Sequence, residues 1–120
     1  MLKVSDGDTF DCVIDRGFKE TKEVRVRLFG INAFEKSGRL YSSFQKYCDR
    51  HGIILPNKTE RKRLGILAHK QLTDRLNASQ QIILKSEKLD SFGRVLATVF
   101  ADGQDINQWL IEQGVAIAYS

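Results

Sequence analysis

Three groups of polar residues have the types and spacing that phosphate chemistry requires. Asp6-Gly7-Asp8-Thr9 sets two carboxylates around a glycine in a tight turn. Arg25-Val26-Arg27-Leu28-Phe29-Gly30-Ile31-Asn32-Ala33-Phe34-Glu35 runs an alternating strand into a short loop that carries a carboxylate, and Asp90-Ser91-Phe92-Gly93-Arg94 puts a further arginine just after another turn. A phosphodiester resists hydrolysis because an attacking water and the phosphate repel, and because negative charge builds on the non-bridging oxygens in the transition state. Glu35 is the candidate to orient or deprotonate the water, a role worth on the order of 10² to 10⁴ in rate. Arg27 and Arg94 are the candidates to grip the phosphate through forked donors that stay charged at every relevant pH. A hard divalent cation could neutralise the remaining charge. Each residue also has an ordinary explanation: aspartates flank glycines in turns for backbone reasons, Arg94 suits a surface and Arg27 a salt-bridged strand.

These residues need elements to hold them. Val24, Val26 and Leu28 point to one face of a strand and Arg25 and Arg27 to the other, which holds an arginine rigidly near Glu35. Gly30 closes that strand where the backbone must bend, so Asn32 and Glu35 project from a loop. Residues 9–15 read as a preceding strand, joined through a polar loop at 16–20 to an antiparallel partner at 23–31. Leu40, Phe44, Tyr47 and Cys48 recur at helical spacing, suggesting a short amphipathic helix before Gly52, and Pro56-Asn57 ends any continuation. A clearer helix carries Leu64, Leu67, Ala68, Leu72 and Leu76 on one face and ends near Asn77. Residues 81–85 and 95–100 read as strands around the turn at 90–94. Asp105 with Gln108 forms a capping box for a helix at 106–113, stopped by Gly114, with Trp109 and Leu110 facing inward. Five strands with these helices fit an α+β, mainly β fold: a five-stranded OB-type Greek-key barrel with two to three helices.

A chain of 120 residues suits a single domain over 1–120, and one of this size should bury roughly 65% of its unfolded surface. Cys12 and Cys48 lack C-x-x-C spacing, so both read as small buried or half-buried thiols, with a disulfide between them as the alternative. His51 and His69 are far from each other and from the cysteines, which argues against zinc and makes both solvated or helix-surface residues. No apolar run is long enough to span a membrane and no signal peptide precedes the first turn, so the expectation is a soluble monomer, secreted if a leader was trimmed and cytoplasmic otherwise. Net charge is +4, but residues 36–63 alone carry +6 and the remainder −2. That insertion-like basic segment should attract polyanions, with Lys58, Arg61, Lys62 and Arg63 as nucleic-acid contacts; a merely solvated basic surface is the bland alternative.

Taken in order, D-G-D-T, R-L-x-G-I-N-A-x-E and D-x-x-G-R resemble the staphylococcal nuclease (thermonuclease-like) family, from about Val4 to about Tyr119. The resemblance implies an OB-type barrel and calcium-dependent hydrolysis of single-stranded DNA and RNA to 5′-hydroxyl and 3′-phosphate ends. It puts Arg27, Glu35 and Arg94 at catalytic positions. Asp8, Asn32 and the Ala33 carbonyl fall at Ca2+ ligand positions, with Asp6 and Glu35 near the ion through water. Phe92 stands where a tyrosine contacts substrate phosphate, and Tyr119 matches a second substrate tyrosine. Asn32 stands where many members have aspartate, so weaker metal affinity is expected. Phe34 replaces a proline that stiffens the loop before the glutamate, and the basic segment is longer than in the prototype. The rival readings are an OB-fold module that binds nucleic acid without cutting it, as in Tudor-nuclease proteins, and a scaffold using 36–63 as a protein interface. Retention of Arg27, Glu35 and Arg94 favours the enzyme.

Overall fold

The alternation of valine with arginine before Gly30 does become a strand in the computed structural model, which describes residues 2–40, 42–90 and 93–118. In chain order the elements are β1 (Leu2–Asp6), β2 (Thr9–Asp15), β3 (Thr21–Leu28), β4 (Ile31–Ala33), α1 (Ser42–His51), α2 (Lys58–Asn77), β5 (Ile82–Leu89), β6 (Val95–Ala101), β7 (Gln104–Asp105), α3 (Ile106–Glu112) and β8 (Ala116–Ala118). β1, β2 and β3 form an antiparallel meander, with Phe10 opposite Val26. β6 joins β3 in parallel, with Val26 opposite Val95, and β5 lies antiparallel beyond it, giving the order β1-β2-β3-β6-β5. β7 pairs with β6, while β4 and β8 form a separate two-stranded sheet in which Asn32 faces Ile117. The result is an α+β fold built on a curled, mixed half-barrel with three helices, consistent with an OB-like architecture.

The strand expected at 23–31 is broken in two. Gly30 has φ 80, a left-handed conformation that glycine adopts without steric cost, and the chain restarts as β4 at Ile31. Asn32 therefore sits on a paired strand rather than on a loop. The break is held in place from behind: Phe29 donates its amide to the Ala97 carbonyl (2.8 Å), and the buried Asn107 side chain donates to the Phe29 carbonyl (2.8 Å) while accepting from the Val99 amide (3.1 Å).

Phe10, Val26 and Leu28 meet Ala68, Leu72 and Leu76 of α2 and Ile106 and Leu110 of α3 in the main core. Full burial of side chains of this size contributes about 1.5–3 kcal/mol each. Trp109 is half-buried against the same core. Phe34, Phe44 and Cys48 form a second, separate cluster with Leu40, Leu55, Leu64 and Ile117 around them. Asn57 caps α2 by accepting from the Glu60 amide (2.9 Å), and Asp105 caps α3 by accepting from the Gln108 amide (3.0 Å).

Both cysteines are free, Cys12 half-buried and Cys48 buried, which removes the disulfide alternative. His51 is exposed beside the Tyr47 ring. His69 is half-buried, with Nε2 3.0 Å from the Val4 carbonyl, and so ties α2 to β1 instead of facing solvent. No helix among the described residues is long and apolar enough to cross a membrane.

Candidate functional site

The polar face of β3 opens onto a cleft of about 880 Å³ whose walls include Asp8, Arg27, Asn32, Glu35, Asp90 and Arg94. Side chains separated by more than eighty positions in sequence thus face one space. Of the residues singled out from the sequence, Ala33 instead borders a small neighbouring cavity, beside Phe34. Phe92 and Tyr119 lie outside the described residues.

Arg27 is built into the end of its own strand. Its Nη1 donates to the Leu28 and Ile31 carbonyls (2.9 and 3.0 Å), which flank the break at Phe29-Gly30. Its Nη2 donates to Asn32 Oδ1 and lies 3.5 Å from Asp8 Oδ2. Asp8 in turn accepts the Ala33 amide at Oδ2 (3.0 Å) and the Thr9 hydroxyl at Oδ1 (3.1 Å). Asn32, only 9% exposed, is one of the few buried polar side chains. Its contact with Arg27 uses one of the two lone pairs on the amide oxygen.

Arg94 reaches the cleft from the end of the β5 and β6 hairpin. Its Nε pairs with Asp90 Oδ2 (2.5 Å), and its amide donates to Asp90 Oδ1 (2.9 Å). Asp90 thus orients the guanidinium and closes the turn together.

Glu35 is half-buried, and its Oε2 accepts from the Ser37 hydroxyl (3.3 Å). The backbone behind it is tightly confined. A Cβ at Gly65 of α2 would lie 2.0 Å from the Glu35 carbonyl oxygen, so only glycine lets the helix come this close. One turn further along α2, a Cβ on Gly7 would stand 2.5 Å from Ala68 Cβ and 2.9 Å from Ala33 Cβ. The same helix therefore backs both the aspartate turn and the glutamate. A glycine inside a 20-residue helix is the sequence signal that could have found this.

Burial pushes the Asp6 carboxyl above its ordinary value, and the nearby Asp8 and Glu35 carboxylates add to the effect against the hydrogen bond from the Gly7 amide. Negative charge is therefore concentrated at this end of the cleft. Among the described residues no three histidine, cysteine, aspartate or glutamate side chains gather as a ready-made metal cage. The oxygens available are the carboxylates, the Asn32 amide and backbone carbonyls, a donor class that suits a hard cation.

None of the basic residues Lys58, Arg61, Lys62 and Arg63, which form the start of α2, lines the cleft. Arg61 is half-buried and acts as a strut, donating to the Gly38 and Pro56 carbonyls (3.0 and 2.9 Å). Arg63 is paired with Glu60, Nη2 to Oε1 at 2.5 Å. Lys58 and Lys62 remain exposed, their stems lying against Gly38. Residues the sequence reading passed over also line the cleft, among them Lys88 and Phe29; Phe29 is 40% exposed.

The family described as staphylococcal nuclease homologue matches residues 25–120. A protein of Haemophilus influenzae named as an uncharacterized endonuclease is 30% identical over 119 residues, which is 99% of this chain and 51% of the relative. The chain thus spans about half the length of the curated relative it matches.

Proposed function

Since the chain belongs to the staphylococcal nuclease homologue family, we propose that its cleft hydrolyses phosphodiester bonds of single-stranded DNA and RNA in a calcium-dependent reaction, leaving 5′-hydroxyl and 3′-phosphate ends. The observation that carries this reading is the convergence of Arg27 and Glu35 from one stretch of chain and Arg94 from another on one cleft.

The scissile phosphate seats between the two guanidiniums. Glu35 accepts a proton from the water that attacks phosphorus; the bond from phosphorus to the 5′ oxygen breaks, and that oxygen leaves and takes up a proton from solvent. Charge growing on the non-bridging oxygens is met by Arg27 and Arg94. Both arginines are oriented before substrate arrives, Arg27 by two carbonyls and Asn32, and Arg94 by Asp90. Donors set in advance need no reorganisation during the reaction, and losing one costs about 10² to 10³ in rate at comparable oxyanion sites.

The oxygen donors and the crowding of Asp6 by Asp8 and Glu35 fit a hard divalent cation. Asp8 and Asn32 would hold calcium, which when bound supplies positive charge against the phosphate. Asn32 offers a neutral oxygen in place of a carboxylate, so affinity is weakened by one missing charge. Phe29, on the arginine face of β3, offers a ring on which a base can stack. Phe92 and Tyr119 are proposed as further substrate contacts, and Lys58 and Lys62 as phosphate contacts on approach.

The test is incubation of end-labelled single-stranded DNA and RNA with calcium, magnesium or EDTA, followed by end-group analysis. Cleavage that requires calcium and yields 3′-phosphate is the expected result. Stable binding without cleavage would select the binding module instead, and cleavage in EDTA would remove calcium from the mechanism.

A further inference from the structure

Phe34 sits immediately before Glu35 and is 9% exposed. Its ring centroid lies 5.0 Å from that of Phe44 on α1, the planes tilted by 54°. Cys48 on the same helix, Leu55 beyond it, Leu64 on α2 and Ile117 on β8 complete the cluster. This cluster is separate from the main core and lies against the loop that carries the proposed base. Leu64 and Gly65 are adjacent on α2: the first joins the cluster, and the second touches the Glu35 carbonyl. The Glu35 peptide is therefore preceded by an aromatic anchored against α1 and met at its carbonyl by the bare backbone of α2. The Phe34 amide donates to the Val115 carbonyl (3.2 Å), and the Glu35 carbonyl accepts from Gly38 (3.0 Å).

We propose that α1 and the loop after it, residues 42–56, form a packing brace that positions Glu35 through Phe34. The proposal rests on the reading of Glu35 as the base. A proline at position 34 would restrict the backbone by its ring, fixing φ near −65°. Phenylalanine leaves φ open, and burial of its ring against Phe44 supplies the restraint from outside the loop. The segment before α2 carries the second aromatic to the place where the first needs a partner. Its cations follow from α1 being a surface helix, with Lys46 and Arg50 exposed while Phe44 and Cys48 are buried. Phe34, Phe44 and Gly65 are positioning residues, since they act through Glu35. Displacing a reacting group by about 1 Å can cost on the order of 10² in rate.

The experiment compares Phe44→Ala, Phe44→Leu, Gly65→Ala and Lys46→Gln with the parent chain, measuring kcat and KM on single-stranded DNA with calcium, and thermal unfolding of each. Phe44→Ala opens the brace, and Gly65→Ala pushes directly on the Glu35 backbone. The expected result is a fall in kcat of about 10- to 100-fold for both, with KM within about twofold, substantial recovery in Phe44→Leu, and no change in Lys46→Gln. If Phe44→Ala is unfolded at the assay temperature, Gly65→Ala against Phe44→Leu decides. Raised KM with parental kcat in folded Phe44→Ala and Gly65→Ala would show that this region serves substrate binding, and would overturn the brace. Parental values for both parameters would overturn it as well. A parent chain that binds DNA but never cleaves it would sink the proposed function itself, a result distinct from either of these.

Discussion

Glu35 stands between two walls of opposite chemistry. On the sheet side, Asp8, Arg27 and Asn32 hold one another and the start of β4 by directed contacts to charged and amide groups. On the helix side, Phe34, Phe44 and Cys48 fill a small apolar cluster, and Gly65 gives way to the backbone. A polar wall sets direction and responds to protonation, ions and salt, because each contact depends on charge state. An apolar wall sets position by volume and responds to none of these. The loop that carries Glu35 thus has an adjustable side and a fixed side.

The largest effect should come from the residue between the walls. Glu35→Gln keeps shape and removes the proposed base, so turnover should fall by about 10² to 10⁴, with circular dichroism and unfolding as in the parent. A folded variant that cleaves at the parental rate would break the comparison at its centre.

Arg27 and Arg94 sharpen it next. Arg27→Met leaves the Leu28 and Ile31 carbonyls, Asn32 and Asp8 without their donor. Activity and stability should both drop, the latter by about 1–3 kcal/mol in urea unfolding. Arg94→Ala should match the loss of activity with a smaller loss of stability, because Asp90 still accepts the amide at position 94 and the turn stays closed. Equal destabilisation by the two would mean that the polar wall is not where the structural load lies.

The Asp6 carboxyl gives the polar wall a pH signature. Its folded pKa is raised, so between the unfolded value and the folded one the native state binds more protons, and stability falls as pH rises through that window. Above it the penalty is complete. Asp6→Asn should therefore unfold at a higher temperature than the parent at neutral pH, with the advantage fading as pH drops below the ordinary aspartate range. Calcium should raise the parent's unfolding temperature at neutral pH by relieving the same crowding, and less in acid. A calcium shift that ignores pH would place the ion away from these carboxylates.

The smallest effect belongs to the basic segment. On a Glu35→Gln background, Lys58→Gln with Lys62→Gln should flatten the dependence of log K on log salt by up to roughly 1.4, at about 0.7 per phosphate. Arg61→Gln should lower stability instead, because its donors hold the Gly38 and Pro56 carbonyls. An unaltered slope in the double variant would leave both lysines as solvated surface.

Much of the site could be read from local pattern. Two-residue alternation put Arg27 opposite Val26, the Asp90 turn put Arg94 beside Gly93, and Asp105 with Gln108 marked the start of α3. Other features could not, because they depend on partners distant in sequence. β4 exists because Ile31 meets Ala118, and the chain break before it is held by Asn107. Arg61 looked like any other cation until it met Gly38.

The sequence by itself determined which groups carry charge, where strands and helices begin, and that two arginines and a glutamate were at hand for a phosphate. Covalent identity and near-neighbour sterics suffice for that. Only the tertiary structure decided that Arg27 lies beside Asp8, that His69 bonds to β1 rather than water, and that the Glu35 backbone meets a glycine of α2. A donor's partner and a backbone's closest approach are set by which surfaces the core brings together, and those surfaces come from stretches distant in the chain.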